Sequence, residues 1–189
     1  MKKSIVCIRH GKALHNVLFK TIGKLAYSNY RDTPLVLDGI KQATGLAETW
    51  NDRKKIDLVI VSPTSRTLDT VTNIFYEKNI KMIALDCTVE FPNSDYCNKR
   101  NDLLVLKKLY PHVDFSYITE EQYNKPNIET IDQLKDRINT FKKFVLERKE
   151  ENIAFVNHSS FLKCMMGMDI GDEENELNHC HVYNVDIEL

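Results

Sequence analysis

Ser4-Ile5-Val6-Cys7-Ile8 is a short apolar run rich in β-branched residues, and Arg9-His10-Gly11 follows it directly. The run shows no alternation of polar and apolar residues, which is typical of a strand covered on both faces of a parallel sheet. Residues 57–61 and 152–156 have the same character. We therefore predict a parallel sheet whose strands end at polar or charged residues.

Helical periodicity separates these strands. Apolar residues recur at helical spacing over residues 39–51, where Asp38 is placed to cap the first turn, and again over residues 68–75. Thr130 and Gln133 have the spacing of a capping box ahead of a long apolar stripe that begins at Ile131. The alternation of strands and helices predicts an α/β fold of three layers, α/β/α, with a mainly parallel central sheet flanked by helices.

The remaining segments complete one predicted domain over residues 1–189. We expect a third strand at 82–86, a short helix at 160–168 and a final alternating strand at 182–189, at an edge of the sheet. Residues 90–125 show little periodicity and contain prolines and many asparagines. This middle segment is predicted to be an insertion of loops and short helices.

Composition excludes several classes of protein. The 26 Lys and Arg residues balance 27 Asp and Glu residues, so a nucleic-acid partner is not indicated and any anionic ligand needs a local cluster of cations. The apolar start is interrupted at Arg9, far short of a signal-peptide core or a membrane span. The five cysteines include no C-x-x-C pair, which suits a reducing compartment. We expect a cytoplasmic protein with no membrane partner.

Charged and polar residues follow three of the predicted strands. Arg9 and His10 follow the first strand, Ser62-Pro63 and Arg66 the second, and Asn157-His158 the strand at 152–156. Ligands of such sheets bind outside the carboxyl ends of the strands, so these residues should meet. Guanidinium groups bind phosphoryl oxygens through paired N–H donors, and nearby cations keep a histidine unprotonated and nucleophilic. The pattern predicts a phosphate pocket.

The loop after the first strand supplies further candidates. Gly11 is expected to let the chain turn without a Cβ beside the ligand, and Asn16 can donate its amide to the anion. Several cationic or imidazole side chains are candidates for contact with the rest of the substrate, although such side chains more often belong to a solvated surface. These candidates are Lys12, His15, Lys99 and Arg100.

The triplet His179-Cys180-His181 precedes the last strand, where alternate side chains could offer two imidazoles to zinc. A metal site needs more ligands than this triplet provides. We therefore expect a structural or surface role for it and predict no metal site.

Four segments of the chain resemble the histidine phosphatase superfamily in its phosphoglycerate mutase-like branch. They follow the family's order and usual intervals: Arg9-His10-Gly11-x-x-x-x-Asn16, Pro34-Leu35-x-x-x-Gly39-x-x-Gln42-Ala43, Ser62-Pro63-x-x-Arg66-x-x-x-Thr70 and Asn157-His158-Ser159-Ser160-Phe161-Leu162. The resemblance implies a phosphoglycerate mutase-like fold, a His10 that becomes phosphohistidine, and no metal or cofactor. It also implies phosphate-binding roles for Arg9, Asn16, Arg66 and His158.

The proton donor of the resembled family follows the third strand, which assigns that role to Glu90, with Asp86 and Asp95 as nearby competitors. The chain lacks the Arg-Arg and proline-rich segment of the family's mutases, which favours a hydrolase. We expect a phosphatase acting on a small phosphorylated metabolite. The alternatives are a phosphoglycerate-type mutase, a protein phosphotyrosine phosphatase and a non-catalytic phosphate-binding member, and the oligomeric state is open.

Overall fold

The computed structural model of the protein describes residues 2–77, 79–119, 128–170 and 175–189. Within them, one sheet contains β1 (Lys3–Arg9), β2 (Leu58–Val61), β3 (Lys81–Ala84), β4 (Val113–Asp114), β5 (Ile153–Asn157) and β6 (Val182–Ile187). The strands lie in the order β4-β3-β2-β5-β1-β6. Neighbouring strands are parallel except β6, which pairs antiparallel with β1 at the edge. The mainly parallel sheet is therefore confirmed.

Helices cover both faces of the sheet. They are α1 (Leu14–Ile22), α2 (Leu25–Asn29), α3 (Leu37–Thr49), α4 (Ser65–Ile74), α5 (Leu103–Leu109), α6 (Ile131–Leu146) and α7 (Ser159–Met165). Successive residues of a strand point to opposite faces. Ile60 of β2 accordingly packs in the cluster that contains Phe141 of α6, and Val61 in the cluster that contains Leu68 and Val71 of α4. The layered α/β/α architecture is that of the prediction.

The carboxyl ends of the three central strands lie side by side. Arg9 of β1 is in register with Asn157 of β5, and Val61 of β2 with Val156 of β5. The ladder continues one step beyond β1, because the backbone N–H of His10 donates to the carbonyl of Asn157 at 2.9 Å. The residues that follow these strands are thus held at one edge of the sheet.

Two predicted helix starts have different outcomes. The capping box of α6 is confirmed: Thr130 Oγ1 accepts from the backbone N–H of Gln133, and the side chain of Gln133 accepts from the backbone N–H of Thr130. The predicted cap of α3 is wrong, because the helix begins at Leu37 and Val36 is the N-cap residue. Asp38 lies in the first turn instead.

The middle segment contains an element that the sequence analysis missed. Val113–Asp114 forms β4, which pairs with β3 and extends the sheet by one edge strand. Two residues are too few for a period-2 pattern to be visible. The part of the predicted insertion at 120–127 lies outside the described residues. In the described ranges no helix is both long and apolar enough to cross a membrane.

Candidate active site

His10 lies at the centre of a group of imidazoles. Its ring centroid is 5.2 Å from that of His158, 5.6 Å from that of His179 and 6.0 Å from that of His15. The side chain of His10 is almost completely buried, and yet it lines a cavity of about 1010 Å³. The carboxyl ends of β1 and β5 therefore bring His10 and His158 together.

The hydrogen bond of the His10 ring defines its tautomer. Nδ1 lies 2.7 Å from the carbonyl oxygen of Gly11, and a carbonyl can only accept, so Nδ1 carries the proton. Burial holds the pKa of His10 well below its usual range, and the charges of Arg66, His158 and Arg9 lower it further. Burial is the largest cause, ahead of the nearby cations that the sequence analysis emphasised. His10 is neutral, with a lone pair on Nε2.

Arg66 is held from the middle segment of the chain. Its Nη1 donates to the carbonyl of Cys97 at 2.8 Å, and its Nη2 donates to Oδ1 of Asn98 at 2.7 Å. Asn98 in turn donates to the carbonyl of Pro92, which fixes the amide that orients the guanidinium. The predicted insertion therefore helps to position a residue that follows β2.

Arg9 is held from the residues that precede β6. Its Nη1 donates to the carbonyl of Leu177, and its Nη2 donates to the carboxylate of Glu176. The side chain of Arg9 is buried, whereas that of Glu176 is 34% exposed and lines the same cavity as His10. The carboxylate of Glu176 thus lies directly beside Arg9, a residue predicted to bind phosphate.

Four buried side-chain nitrogens at this edge have no hydrogen-bond partner among the described residues. They are Nε of Arg9, Nε of Arg66, Nδ2 of Asn157 and Nδ1 of His158. Ser62, which follows β2, places its hydroxyl 2.8 Å from Nε2 of His158; when that hydroxyl donates, Nδ1 carries the remaining proton. Burial, followed by the charge of Arg66, holds the pKa of His158 well below its usual range. Buried donors normally have partners, so unpaired ones at one site suit an anionic ligand.

Gly11 is required for packing rather than for space beside a ligand, which corrects the sequence-based interpretation. A Cβ on Gly11 would lie 2.6 Å from the carbonyl oxygen of Gly39, and a Cβ on Gly39 would lie 2.2 Å from the carbonyl oxygen of Lys12. The loop after β1 and the start of α3 therefore approach backbone to backbone. The backbone N–H of Gly11 also donates to Thr70 Oγ1 of α4 at 3.0 Å.

The segment from Pro34 to Ala43 supports the loop after β1. The backbone N–H of Lys12 donates to Oε1 of Gln42, and the carbonyl of Lys12 accepts from Val36. The N–H of Leu14 donates to the carbonyl of Pro34. These bonds explain why the motif at residues 34–43 occurs together with the motif at residues 9–16. The residues of the later motif fix the backbone of the loop that follows His10.

Glu90 lines the cavity together with Arg9, His10 and Arg66. Its carboxylate accepts from the backbone N–H groups of Phe91, Ser160 and Phe161 at 2.7–3.1 Å, the last two at the start of α7. Burial raises the pKa of Glu90, and these hydrogen bonds and the charge of Arg66 oppose the rise.

The two competitors of Glu90 lie in different places. Asp95 lines the cavity, and burial raises its pKa against the opposing charge of Lys24. Asp86 is buried, lies 3.4 Å from Nε of Arg100 and accepts from the backbone N–H of Thr119. It is not among the described residues that line the cavity.

The other predicted contacts are dispersed. His15 lines the main cavity, and its Nδ1 forms a hydrogen bond with Oγ1 of Thr33. Lys12 and Asn16 line a neighbouring cavity of about 390 Å³, where Oδ1 of Asn16 accepts from the backbone of Ala13. The amide nitrogen of Asn16 is the part that can donate to an anion, so its role stays a prediction.

Lys99 and Arg100 are not brought to the site. Arg100 is buried and donates to the carbonyls of Asn101 and Thr119, so it connects two parts of the middle segment. Lys99 is half-buried, and burial lowers its pKa. Neither is among the described residues that line the cavity. Their positive charge suggested a contact with the substrate, but the fold places both side chains outside the described lining of the cavity.

Three residues that contact or adjoin site residues carried no sequence signal for their place. His179 donates from Nδ1 to the carbonyl of His10 at 2.7 Å, so this member of the triplet contacts the backbone of the predicted nucleophile. Burial and the charge of Arg9 lower the pKa of His179 to about 4. Asp32 is buried and accepts from both the backbone and the hydroxyl of Ser65 at the start of α4. Glu176 is the third.

Arg9, His10, Arg66 and His158 thus lie together at the carboxyl edge of the α/β sheet. The chain belongs to the histidine phosphatase superfamily (branch 1), whose sequence model matches residues 5–189. Phosphoglycerate mutase-like protein 1 of Arabidopsis thaliana is 30% identical over 195 residues, which cover 85% of this chain and 69% of that protein.

Two solved structures share the fold. The ecdysone phosphate phosphatase of Bombix mori, in complex with tungstate, matches with a TM-score of 0.68 at 17% identity, over 96% of this chain and 88% of that chain. The phosphoserine phosphatase of Entamoeba histolytica, in complex with 3-phosphoglyceric acid, matches with a TM-score of 0.61 at 17% identity, over 96% and 89%. At these identities the likeness shows the fold.

Proposed function

We propose that the protein hydrolyses phosphomonoesters of small molecules through a phosphohistidine on His10. The observation that carries this proposal is the neutral His10 ring, with Nδ1–H bound to the Gly11 carbonyl, beside buried nitrogens of Arg9, Arg66 and His158 that lack partners among the described residues. Membership of the histidine phosphatase superfamily supports the same chemistry, as do the two structural neighbours described as phosphatases.

In the first step, Nε2 of His10 attacks phosphorus and the bond to the ester oxygen breaks. The leaving oxygen takes the proton of Glu90 and departs as the alcohol. In the second step a water attacks the phosphohistidine, Glu90 takes one proton of that water, and the P–N bond breaks. Phosphate leaves, and His10 and protonated Glu90 are regenerated. The raised pKa of Glu90 supports its role as the acid.

Charge stabilisation is assigned to Arg9, Arg66, His158 and Asn16. Phosphoryl transfer depends on positioning and on neutralising the charge spread over the equatorial oxygens, with little other demand on the protein. The buried guanidinium groups of Arg9 and Arg66 are fixed by the bonds described above, so they need little reorganisation. Asn16 lines the neighbouring cavity, and its side-chain amide nitrogen is the atom assigned to donate to the phosphoryl group.

The test is hydrolysis in the presence of a chelator by wild type and His10→Ala, with His112→Ala as the matched control. His112 is an exposed histidine that forms a hydrogen bond with Thr72 and is not among the described residues that line the cavity. The panel contains an aryl phosphate, phosphoglycerates, sugar phosphates and a phosphotyrosine peptide. We expect turnover in wild type and in His112→Ala, no turnover in His10→Ala, and a phosphohistidine that survives alkali and is lost in acid.

Other outcomes would replace the proposal. Phosphoryl transfer between phosphoglycerates in place of hydrolysis would identify a mutase, and strong preference for the peptide would identify a protein phosphatase. Binding of phosphate esters without turnover in wild type would identify a phosphate-binding module.

A further inference from the structure

We propose that the alcohol released by this enzyme is bulky, uncharged and largely apolar, and that helices α1 and α2 form the surface that binds it. The inference rests on the proposed function and names its substrate class. The surface, called here the apolar wall, consists of Phe19, Ile22, Leu25 and Tyr27. The wall lines the same cavity as His10, so an ester whose phosphoryl group lies at His10 extends toward it.

The size of the cavity supports a large leaving group. About 1010 Å³ lies at the upper end of the range of roughly 300–1,000 Å³ that is typical of pockets for drug-sized ligands. A phosphoryl group with a three-carbon alcohol would leave most of this space to water. The cavity therefore fits a substrate with a substantial body beyond the phosphoryl group.

The charges around the cavity argue against a second anionic group on the substrate. Arg9, Lys24 and Arg66 are the lysines and arginines among the described lining residues, and Glu90, Asp95 and Glu176 oppose them. The proposed chemistry uses both arginines at the phosphoryl group. Of the lysines and arginines among the described lining residues, this leaves Lys24, whose charge already acts on Asp95.

The lining histidines add no positive charge. Burial lowers the pKa of His10 and of His15 well below their usual range, so both rings are neutral near pH 7. Lys12 and Lys20 line the smaller cavity, which shares Phe19 and Tyr27 with this one, and Lys12 lies 3.3 Å from Asp38. A substrate carboxylate or second phosphate would thus find little compensation in this cavity.

The apolar wall has the geometry of a binding platform. The rings of Phe19 and Tyr27 are stacked, with centroids 5.3 Å apart and an angle of 19° between their planes. Tyr27 contacts the edge of His15, whose centroid is 6.0 Å from that of His10. The platform therefore extends outward from the nucleophile. Leu25 is 56% exposed, so a bound apolar group would remove from water a surface that is otherwise wet.

The experiment compares esters whose leaving groups are all alkyl alcohols, so that intrinsic reactivity is similar. The substrates are 2-(2-naphthyl)ethyl phosphate, glycerol 1-phosphate and 3-phosphoglycerate. We expect kcat/KM for the naphthylethyl ester to exceed the other two values by about tenfold or more, because the ring buries apolar area on the wall. Equal or higher values for glycerol 1-phosphate or 3-phosphoglycerate would overturn the inference.

Variants link the preference to the wall. Phe19→Ala and Tyr27→Ala should each reduce the ratio of the naphthylethyl value to the glycerol value by about fivefold or more. Leu25→Arg, at an exposed position that tolerates a charge, should shift the preference toward 3-phosphoglycerate. Tyr76→Ala removes an aromatic ring that is 62% exposed and lies outside the cavity, and should leave the ratio unchanged. An unchanged ratio in all three wall variants would contradict the role of the wall.

Failure of the substrate class and failure of the chemistry are distinguishable. Phosphohistidine formation at His10 from glycerol 1-phosphate with no naphthylethyl preference would retain the proposed function and reject this inference. Should no ester be turned over, equilibrium affinities of the same three esters are measured by calorimetry in the wild-type protein. A naphthylethyl affinity that does not exceed the other two would then reject the apolar wall, and one that exceeds them tenfold would support it.

Discussion

The carboxylate of Glu176 accepts a hydrogen bond from Nη2 of Arg9 and forms an ion pair with it, and both residues line the cavity that contains His10. Arg9 is also the first residue assigned to the phosphoryl group. A phosphate dianion that approaches Arg9 therefore meets the negative charge of Glu176, and like charges at short range repel. The free protein thus contains a competitor for its own proposed ligand.

Glu176→Gln should bind inorganic phosphate more tightly than wild type. The amide keeps an acceptor for Arg9 and removes the repulsion, so we expect the inhibition constant of phosphate to fall several-fold, with a smaller effect at high salt. Glu188→Gln, on the exposed chain just after β6 and at the opposite edge of the sheet, is the matched control. Weaker phosphate binding in Glu176→Gln would show that the carboxylate is needed to hold Arg9.

The pH dependence of kcat/KM should favour acidic conditions. His10 must be unprotonated to attack, and its lowered pKa keeps it active below the ordinary histidine value of about 6.5. Glu90 must be protonated to donate, and its raised pKa keeps the proton above the ordinary value of about 4.3, with activity lost as pH rises through the folded-state pKa. Rates from pH 4 to 9 on one substrate check this, and Glu90→Gln should lose the basic limb.

Glu90→Gln should affect esters unequally. An alkyl ester needs a proton on its leaving oxygen, so its hydrolysis should slow by about 10²- to 10⁴-fold, whereas a nitrophenyl ester should be affected far less. Single-turnover rates of phosphohistidine formation measure the effect directly. Asp95→Asn is the matched control because Asp95 lines the same cavity. The same loss on both esters, or the larger effect in Asp95→Asn, would reject Glu90 as the acid.

Gly11→Ala should destabilise the protein. The added methyl group would lie 2.6 Å from a backbone carbonyl oxygen of Gly39, which cannot move aside as a flexible side chain can. We expect a loss of about 1–3 kcal/mol in the free energy of unfolding, measured by urea denaturation. Gly45→Ala, in the same helix as Gly39 and with nothing within 4 Å of the new Cβ, should stabilise by about 0.5–1 kcal/mol. Equal stability of the two variants would contradict the close approach.

His179→Phe should lower kcat and leave KM nearly unchanged. The variant removes the hydrogen bond that holds the His10 carbonyl, and a bond of this kind contributes about 0.5–1.5 kcal/mol, which corresponds to a loss of about 2- to 10-fold. His179→Asn, which retains a donor, should recover part of the rate. His181→Phe replaces an exposed ring that contacts Tyr183 and should have no effect. A change confined to KM would assign His179 to substrate binding instead.

Short-range patterns predicted most of the fold. The buried strands β1, β2 and β5 were visible as unbroken apolar runs, and α6 was visible from its capping box and apolar stripe. Such signals depend on residues a few positions apart, so the sequence contains them in full. The strand β4 was missed because two residues carry no periodicity, and its pairing with β3 is a tertiary contact.

In the candidate site, too, local patterns predicted some features and tertiary contacts supplied the others. Local patterns were enough to place Arg9, His10, Arg66 and His158 at or shortly after the carboxyl ends of strands, and parallel strands bring these ends to one edge. The surroundings of these residues come from tertiary contacts that no local pattern indicates: the Glu176 carboxylate beside Arg9, the His179 donor beside the His10 carbonyl, and Gly39 against Gly11. These are contacts between segments far apart in the chain, and they depend on how loops without periodicity close over the sheet.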